Sequence, residues 1–139
     1  MSKVQTVTAN TIKKVVYSDF FTDFSRHAET GQLNRKTNED AVKQSIRNLI
    51  NTNFYERPMQ PQIGCNIRSL LFENFTPATQ LQAKKYIEEL FDNHEPRAEL
   101  LECIVAPARD GLSLSVTIYF RIINTEGTES LDIILERTR

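Results

Sequence analysis

The sequence predicts an α+β domain: two main helices packed on one face of a three-stranded antiparallel meander sheet, with an extended N-terminal arm. Three observations carry that reading. Apolar residues recur at helical spacing over two stretches, near 38–50 and 77–94; from Leu100 onward the period changes to two; and a run dense in proline and glycine separates the helices. Helices followed by strands, rather than the two in alternation, is the order of a two-layer α+β fold. The 139 residues have the length of one domain. We read residues 1–16 as the arm and 17–139 as a single domain.

The arm is rich in Val and Thr (Val4, Thr6, Val7, Thr8, Val15, Val16), which favours extended backbone, but it lacks the alternation of a core strand. Such a terminus orders when something ties it down. From Tyr17 to Lys36 the aromatics Phe20, Phe21 and Phe24 precede polar residues and are expected to anchor an irregular segment to the domain. A first helix starts near Asn38. Thr37 and Asn38 both suit an N-cap, and Glu39 and Asp40 put negative charge where the helix dipole favours it. Val42, Ile46, Leu49 and Ile50 then share one stripe.

Residues 53–66 contain Pro58, Pro61 and Gly64, a density of breakers that no helix survives. This loop is expected to be a rigid brace that carries Cys65 and Ile67 to the core, and the apolar run Ile67 to Phe72 is expected to lack regular structure. Thr76 as N-cap with Pro77 at the first helical position opens the second helix. It is expected to bury Ala83, Tyr86, Ile87, Leu90 and Phe91, to leave Leu81 outside, and to stop near His94 because Pro96 biases its predecessor out of helical geometry.

Leu100 to Pro107 reads as a strand, with a hairpin turn at Arg109-Asp110-Gly111. Leu112, Leu114, Val116, Ile118, Phe120 and Ile122 alternate with polar residues, and after a turn at Gly127 so do Leu131, Ile133 and Leu135. Leu131 to Arg137 has no proline and few charges, so it reads as an open edge suited to strand addition.

Composition excludes several classes of function. Hydrophobic residues at 40% and charged ones at 25% are the balance of a globular protein. Seventeen basic and 18 acidic side chains nearly cancel, which argues against nucleic acid as a partner. No apolar run approaches the ~20 residues that cross a bilayer, so no membrane partner is expected. Two cysteines, Cys65 and Cys103, make no disulfide framework and read as small buried hydrophobes. His27 and His94 lack zinc-type spacing, no nucleophile elbow exists, and four scattered glycines cannot cradle a phosphate. No metal, cofactor or catalytic residue is expected. A glycosidase needs two carboxylates flanking one bond, and Glu73 and Glu95 are the only candidates in distinctive settings. Arg97 two residues away is expected to lower the pKa of Glu95, the wrong direction for a general acid.

Two segments resist a bland reading. The first is Arg57-Pro58, Pro61, Gly64-Cys65, then Leu71-Phe72-Glu73-Asn74 and Thr76-Pro77; the second is Glu95-Pro96-Arg97 before a strand. Together with Tyr17-Ser18-Asp19 as a start, this pattern resembles the small baseplate wedge subunit of contractile-tailed bacteriophages over roughly residues 17–137. Type VI secretion systems use a similar baseplate component. The resemblance implies a structural part of the virion tail baseplate, present in multiple copies around the tail axis and assembled in the host cytoplasm. It implies that Glu95, Pro96 and Arg97 contact the core bundle of the larger wedge proteins, and that the sheet templates the first ring of the tail sheath protein. Arg57, Pro58, Pro61, Gly64, Phe72, Glu73, Thr76 and Pro77 form its structural motif. Some members are labelled lysozyme-like, so a lysozyme-like glycosidase is the competing reading from another class. A free regulatory adaptor on the same fold is the other. The expected chemistry of the Glu95-Pro96-Arg97 corner follows from Pro96, which fixes its own φ and stiffens the turn. Both flanking charges are expected to face a partner, Arg97 donating to a carboxylate and Glu95 accepting from a basic group.

Overall fold

The computed structural model describes residues 14–109, 113–125 and 127–137. Its elements are β1 (Ser18–Phe20), β2 (Arg35–Thr37), α1 (Asn38–Asn51), a 3-10 helix (Asn66–Phe72), α2 (Pro77–His94), β3 (Ala98–Pro107), β4 (Ser113–Ile122) and β5 (Thr128–Glu136). The α+β expectation holds: β3, β4 and β5 form an antiparallel meander in that order, with β4 in the centre. Its inner rows are Val105–Val116–Ile133 and Cys103–Ile118–Leu131, with Leu100 beside Phe120 and Ala98 beside Ile122. Helix α1 contributes Val42, Ile46 and Ile50 to the same core, and α2 contributes Ala83, Ile87, Leu90 and Phe91. The Phe91 and Phe120 rings meet at 6.1 Å and 51°, a tilted contact between helix and central strand.

Helix α2 begins and ends where local chemistry sets it. The Thr76 hydroxyl accepts the Thr79 N–H at 3.2 Å, Pro77 stands in the first turn, and the helix stops at His94. Leu81 lies outside, and Tyr86 is half-buried. Cys65 and Ile67 reach the core from the proline-rich loop. Gly64 makes that entry possible, with φ +137 and a position at which a Cβ would sit 2.5 Å from the Thr52 carbonyl oxygen. No helix among the described residues is long and apolar enough to cross a membrane.

Four expectations are corrected. Residues 17–36 are not an aromatic anchor: they form the β1–β2 ribbon, with Ser18 opposite Thr37 and Phe20 opposite Arg35. Phe20 and Phe24 are exposed, and the ribbon is held instead by the Gln44 amide, which donates to the Phe20 carbonyl at 2.6 Å. Backbone pairing was enough to order a segment too short to show a period. The run after Gly64 is a 3-10 helix that buries Ile67, Leu70 and Leu71. Thr37 is the N-cap of α1 but makes no side-chain cap bond; Asn38, at φ +48, turns its amide back toward the arm. Finally, β3 starts at Ala98 and its register shifts between Leu100 and Glu102. The extra residue, Leu101, is a bulge that resets the alternation, so Ala98 and Leu100 above it and Cys103 and Val105 below it all serve the core face. Asp110 and Gly111 of the expected hairpin turn, Leu112 of the expected alternation and residues 1–13 of the arm lie outside the described residues.

Two outcomes follow from these contacts. Thr76→Ala removes the cap of α2 and should lower stability by about 1 kcal/mol in a urea melt; a cost near zero would place the start of the helix elsewhere. Burial pushes the thiols of Cys65 and Cys103 up to about 11 from 9.0. Above pH 9 the unfolded chain gives up protons that the folded one keeps, so stability complete below pH 9 is lost as the pH rises toward 11. The double variant Cys65→Ala/Cys103→Ala should show a shallower decline over that window, and an unchanged slope would remove the thiols as its cause.

Candidate functional site

The corner between α2 and β3 is a tight turn closed by two backbone bonds. Glu95 caps the helix through its N–H to the Phe91 carbonyl at 3.1 Å, and its own carbonyl accepts the Ala98 N–H at 3.2 Å. Pro96 fits at the bend because a turn needs no N–H there. The side chains then diverge from the expectation of two outward charges. Glu95 is buried at 1% exposure, and its carboxylate accepts both the Arg97 Nε–H, at 2.5 Å, and the Nη2–H, at 2.8 Å. This fork hydrogen-bonds both carboxylate oxygens, which is the condition for keeping such a charge inside. The same hydrogen bond pushes the Arg97 pKa above its ordinary value, against the opposing effect of burial. Glu95 is therefore demanded by packing, and only Pro96 and Arg97 meet solvent.

Three distant segments converge on Arg97. The Tyr17 ring lies under its guanidinium, 5.7 Å from centroid to carbon. The Arg97 carbonyl accepts the Ile123 N–H at 2.9 Å, just past the end of β4, and the Tyr17 hydroxyl donates to the Ile123 carbonyl at 3.4 Å. Asn38 ties Tyr17 in place: its N–H donates to the Tyr17 carbonyl at 2.8 Å, and its Oδ1 accepts the N–H groups of Val16 at 2.8 Å and Tyr17 at 3.3 Å. The Asn38 Nδ2 donates to the Lys14 carbonyl at 3.1 Å, so residues 14–16 are pinned at this corner. Asp19 adds a second negative charge to the field around Arg97. Thus Tyr17-Ser18-Asp19 and Glu95-Pro96-Arg97, far apart in sequence, form one constellation. Asn38 and Ile123 were not legible as parts of it. The one available signal was an Asn at a helix start, and that reads equally as a cap. Beside the corner an open cleft of about 530 Å³ runs between α2 and β3, with Glu88, Asp92, Glu99 and Glu102 on its walls.

The remaining motif residues lie elsewhere. Arg57, Pro58 and Pro61 are exposed on the loop after α1, and Gly64 closes that loop. Phe72, the last residue of the 3-10 helix, and Glu73 just after it are exposed, with the Arg137 guanidinium 5.0 Å from the Phe72 ring centroid, and Thr76 and Pro77 start α2. Cys65 and Cys103 are buried thiols, and His94 is half-buried beside a cleft of about 480 Å³ between the loop and α2.

The family model described as baseplate wedge protein gp25 matches residues 36–127, about two thirds of the chain. The chain belongs to the baseplate wedge protein gp25 family. Baseplate wedge protein gp25 of Enterobacteria phage T4 is 37% identical over 84 residues, which are 60% of this chain and 64% of that protein. Among solved structures, a Geobacter sulfurreducens protein given the name tail lysozyme superposes with a TM-score of 0.66 at 26% identity, over 73% of this chain and 92% of that one. A chain of the anti-feeding prophage baseplate superposes with a TM-score of 0.61 at 23% identity, over 86% of this chain and 85% of that one, a likeness of fold. The matched span of the wedge family holds both helices, β3 and β4, and the whole Glu95-Pro96-Arg97 corner, and ends just before β5.

Because Glu95 is buried, Arg97→Ala should destabilise the free subunit rather than leave it untouched. Breaking a buried pair from one side costs ~3–5 kcal/mol, and the partial exposure of Arg97 puts the expected loss at about 3 kcal/mol. In chemical melts the double variant Glu95→Gln/Arg97→Ala should be more stable than Arg97→Ala alone, since no charge is stranded. Equal stability of the two would mean that water reaches Glu95.

Proposed function

We propose that this member of the baseplate wedge family sits in the inner baseplate, in multiple copies around the tail axis, binds the core bundle of the larger wedge proteins through Pro96 and Arg97, and templates the first ring of the tail sheath. The observation that carries this reading is the corner itself: a guanidinium fixed by Glu95 on one side and Tyr17 on another, yet 33% exposed, with its Nη1 N–H groups making no hydrogen bond among the described residues. A pre-organised fork of this kind suits a carboxylate on the facing protein. Glu95 acts through Arg97 as its positioning residue. Domain organisation enters the same reading: residues 17–139 are the docking body and residues 1–16 an arm that leaves it at this corner. Assembly is placed in the host cytoplasm.

The sheet supports the templating half of the proposal. Among the described residues strand β5 is an edge, paired only with β4, and Ile134 projects outward at 65% exposure from the face away from the helices. An unprotected edge presents ladder groups to another chain. The name of the Geobacter relative raises the glycosidase alternative. Against it, Glu73 and Glu95 flank the two ends of the 18-residue helix α2, whose length is roughly 27 Å at ~1.5 Å per residue. Paired glycosidase carboxylates stand about 5–9.5 Å apart. We therefore read the chain as having no enzyme activity, and as a virion part rather than a free adaptor.

Reconstitution tests the whole reading. The purified chain should co-sediment with the wedge proteins of its own tail and leave peptidoglycan uncleared. Ile134→Pro, with its fold checked by circular dichroism, should join wedges but fail to start sheath polymerisation. Sheath growth from the folded proline variant would refute templating at β5, and clearing of peptidoglycan by the wild type would restore the enzyme.

A further inference from the structure

The open cleft between α2 and the edge strand β3 combines an apolar lining with acidic walls. Phe91, Leu101 and Cys103 line it, and the Leu101 bulge is 47% exposed where it breaks the ladder of β3. Glu88, Asp92 and Glu102 stand on the walls and make no ion pair among the described residues. Glu99 is taken by Arg121, and Lys84 offsets part of the charge near Cys103. No group of three acidic, histidine or cysteine side chains among the described residues could hold a metal ion, so these carboxylates are spaced along the cleft rather than focused on one point. Such a cleft suits an extended segment that carries both apolar and basic side chains.

We propose that residues 1–13 dock in this cleft of their own chain, with Lys3 among Glu88, Asp92 and Glu102 and the valines and isoleucine of the segment against the Leu101 bulge. Charge complementarity is the first argument. The first 18 residues hold Lys3, Lys13 and Lys14 and no carboxylate, with Val4, Val7 and Ile12 between the lysines. Position is the second. Asn38 fixes Lys14 to Tyr17, and the Tyr17 ring lies against Arg97, next to Pro96 and Ala98 at the near end of the cleft. Lys14 and Tyr17 are at most about 11 Å apart along the chain, whereas 13 extended residues reach roughly 45 Å. The β3 wall from Ala98 to Cys103 is only about 17 Å long at ~3.3 Å per residue. The segment therefore spans the cleft with slack for the turn past Pro96, and its tether gives it an effective concentration on the order of millimolar. Strand β3 is the other edge of the meander. Covering it leaves β5 as the edge that another chain can meet.

Carbodiimide joins a lysine to a carboxylate that it touches. On the purified full chain at low salt it should link Lys3 to Glu88, Asp92 or Glu102 within one molecule, and about 1 M salt should suppress the link. Cys103 lines the cleft and Cys65 is buried elsewhere, so the two thiols report on the cleft and on general unfolding separately. In the variant Lys3→Glu/Lys13→Glu, Cys103 should react with iodoacetamide about fivefold faster, the equivalent of losing two exposed ion pairs, while Cys65 keeps its rate. Adding Glu88→Lys/Asp92→Lys to that variant should restore the slow rate of Cys103, which a merely destabilised fold would not do. Lys3 links found only between isotopically light and heavy copies in a mixed sample would overturn self-docking in favour of an exchanged segment. No Lys3 link, together with an unchanged Cys103 rate, would overturn the cleft as the site of docking altogether.

Discussion

A carboxylate at 1% exposure, that of Glu95, is the constraint around which the corner between α2 and β3 is arranged. Removing such a group from water costs several kcal/mol unless its oxygens are hydrogen-bonded. Here the bonds come from a residue only two positions away, across a proline that holds the turn open at the right angle. The fork fixes the guanidinium; the guanidinium gives Tyr17 a seat; Tyr17 and Asn38 then pin the end of the arm. One desolvated charge thus links the end of α2, the starts of β3 and α1, and the N-terminal segment into a single rigid corner.

The rest of the fold gives that corner a fixed frame. The inner rows of the meander are filled from both helices, with Phe120 and Ile118 of β4 fully buried at its centre. Close packing of this kind does not deform gradually, so a load applied at the corner passes to the sheet rather than being absorbed. The ion pair between Lys43 and Glu129, at 2.7 Å, adds a polar tie between α1 and β5. The corner lies at one end of the sheet and the open β5 edge along its side.

The proline-rich loop is braced from within. Gly64, Pro61 and Glu56 fix its backbone, and that fixed backbone is what holds Tyr55 at φ +64, a conformation it would not choose.

Sequence alone determined whatever depends on near neighbours in the chain. Thr76 and Pro77 start α2, the stripe from Ala83 to Phe91 faces the core, and the alternation of β4 and β5 sets their inner rows, because caps and periods act over a few residues. Tertiary structure decided the rest. Whether Glu95 faces solvent depends on the packing of the folded chain around it, and no local pattern encodes it. Phe20 and Phe24 read as an anchor by composition, but backbone pairing with residues 35–37 and the amide of Gln44 hold the ribbon instead. The Leu101 bulge breaks the alternation that would have revealed the start of β3. Asn38 carries a cap's identity and does a clamp's work. In each case the deciding partner is brought close only by folding, so its effect is absent from any window of sequence.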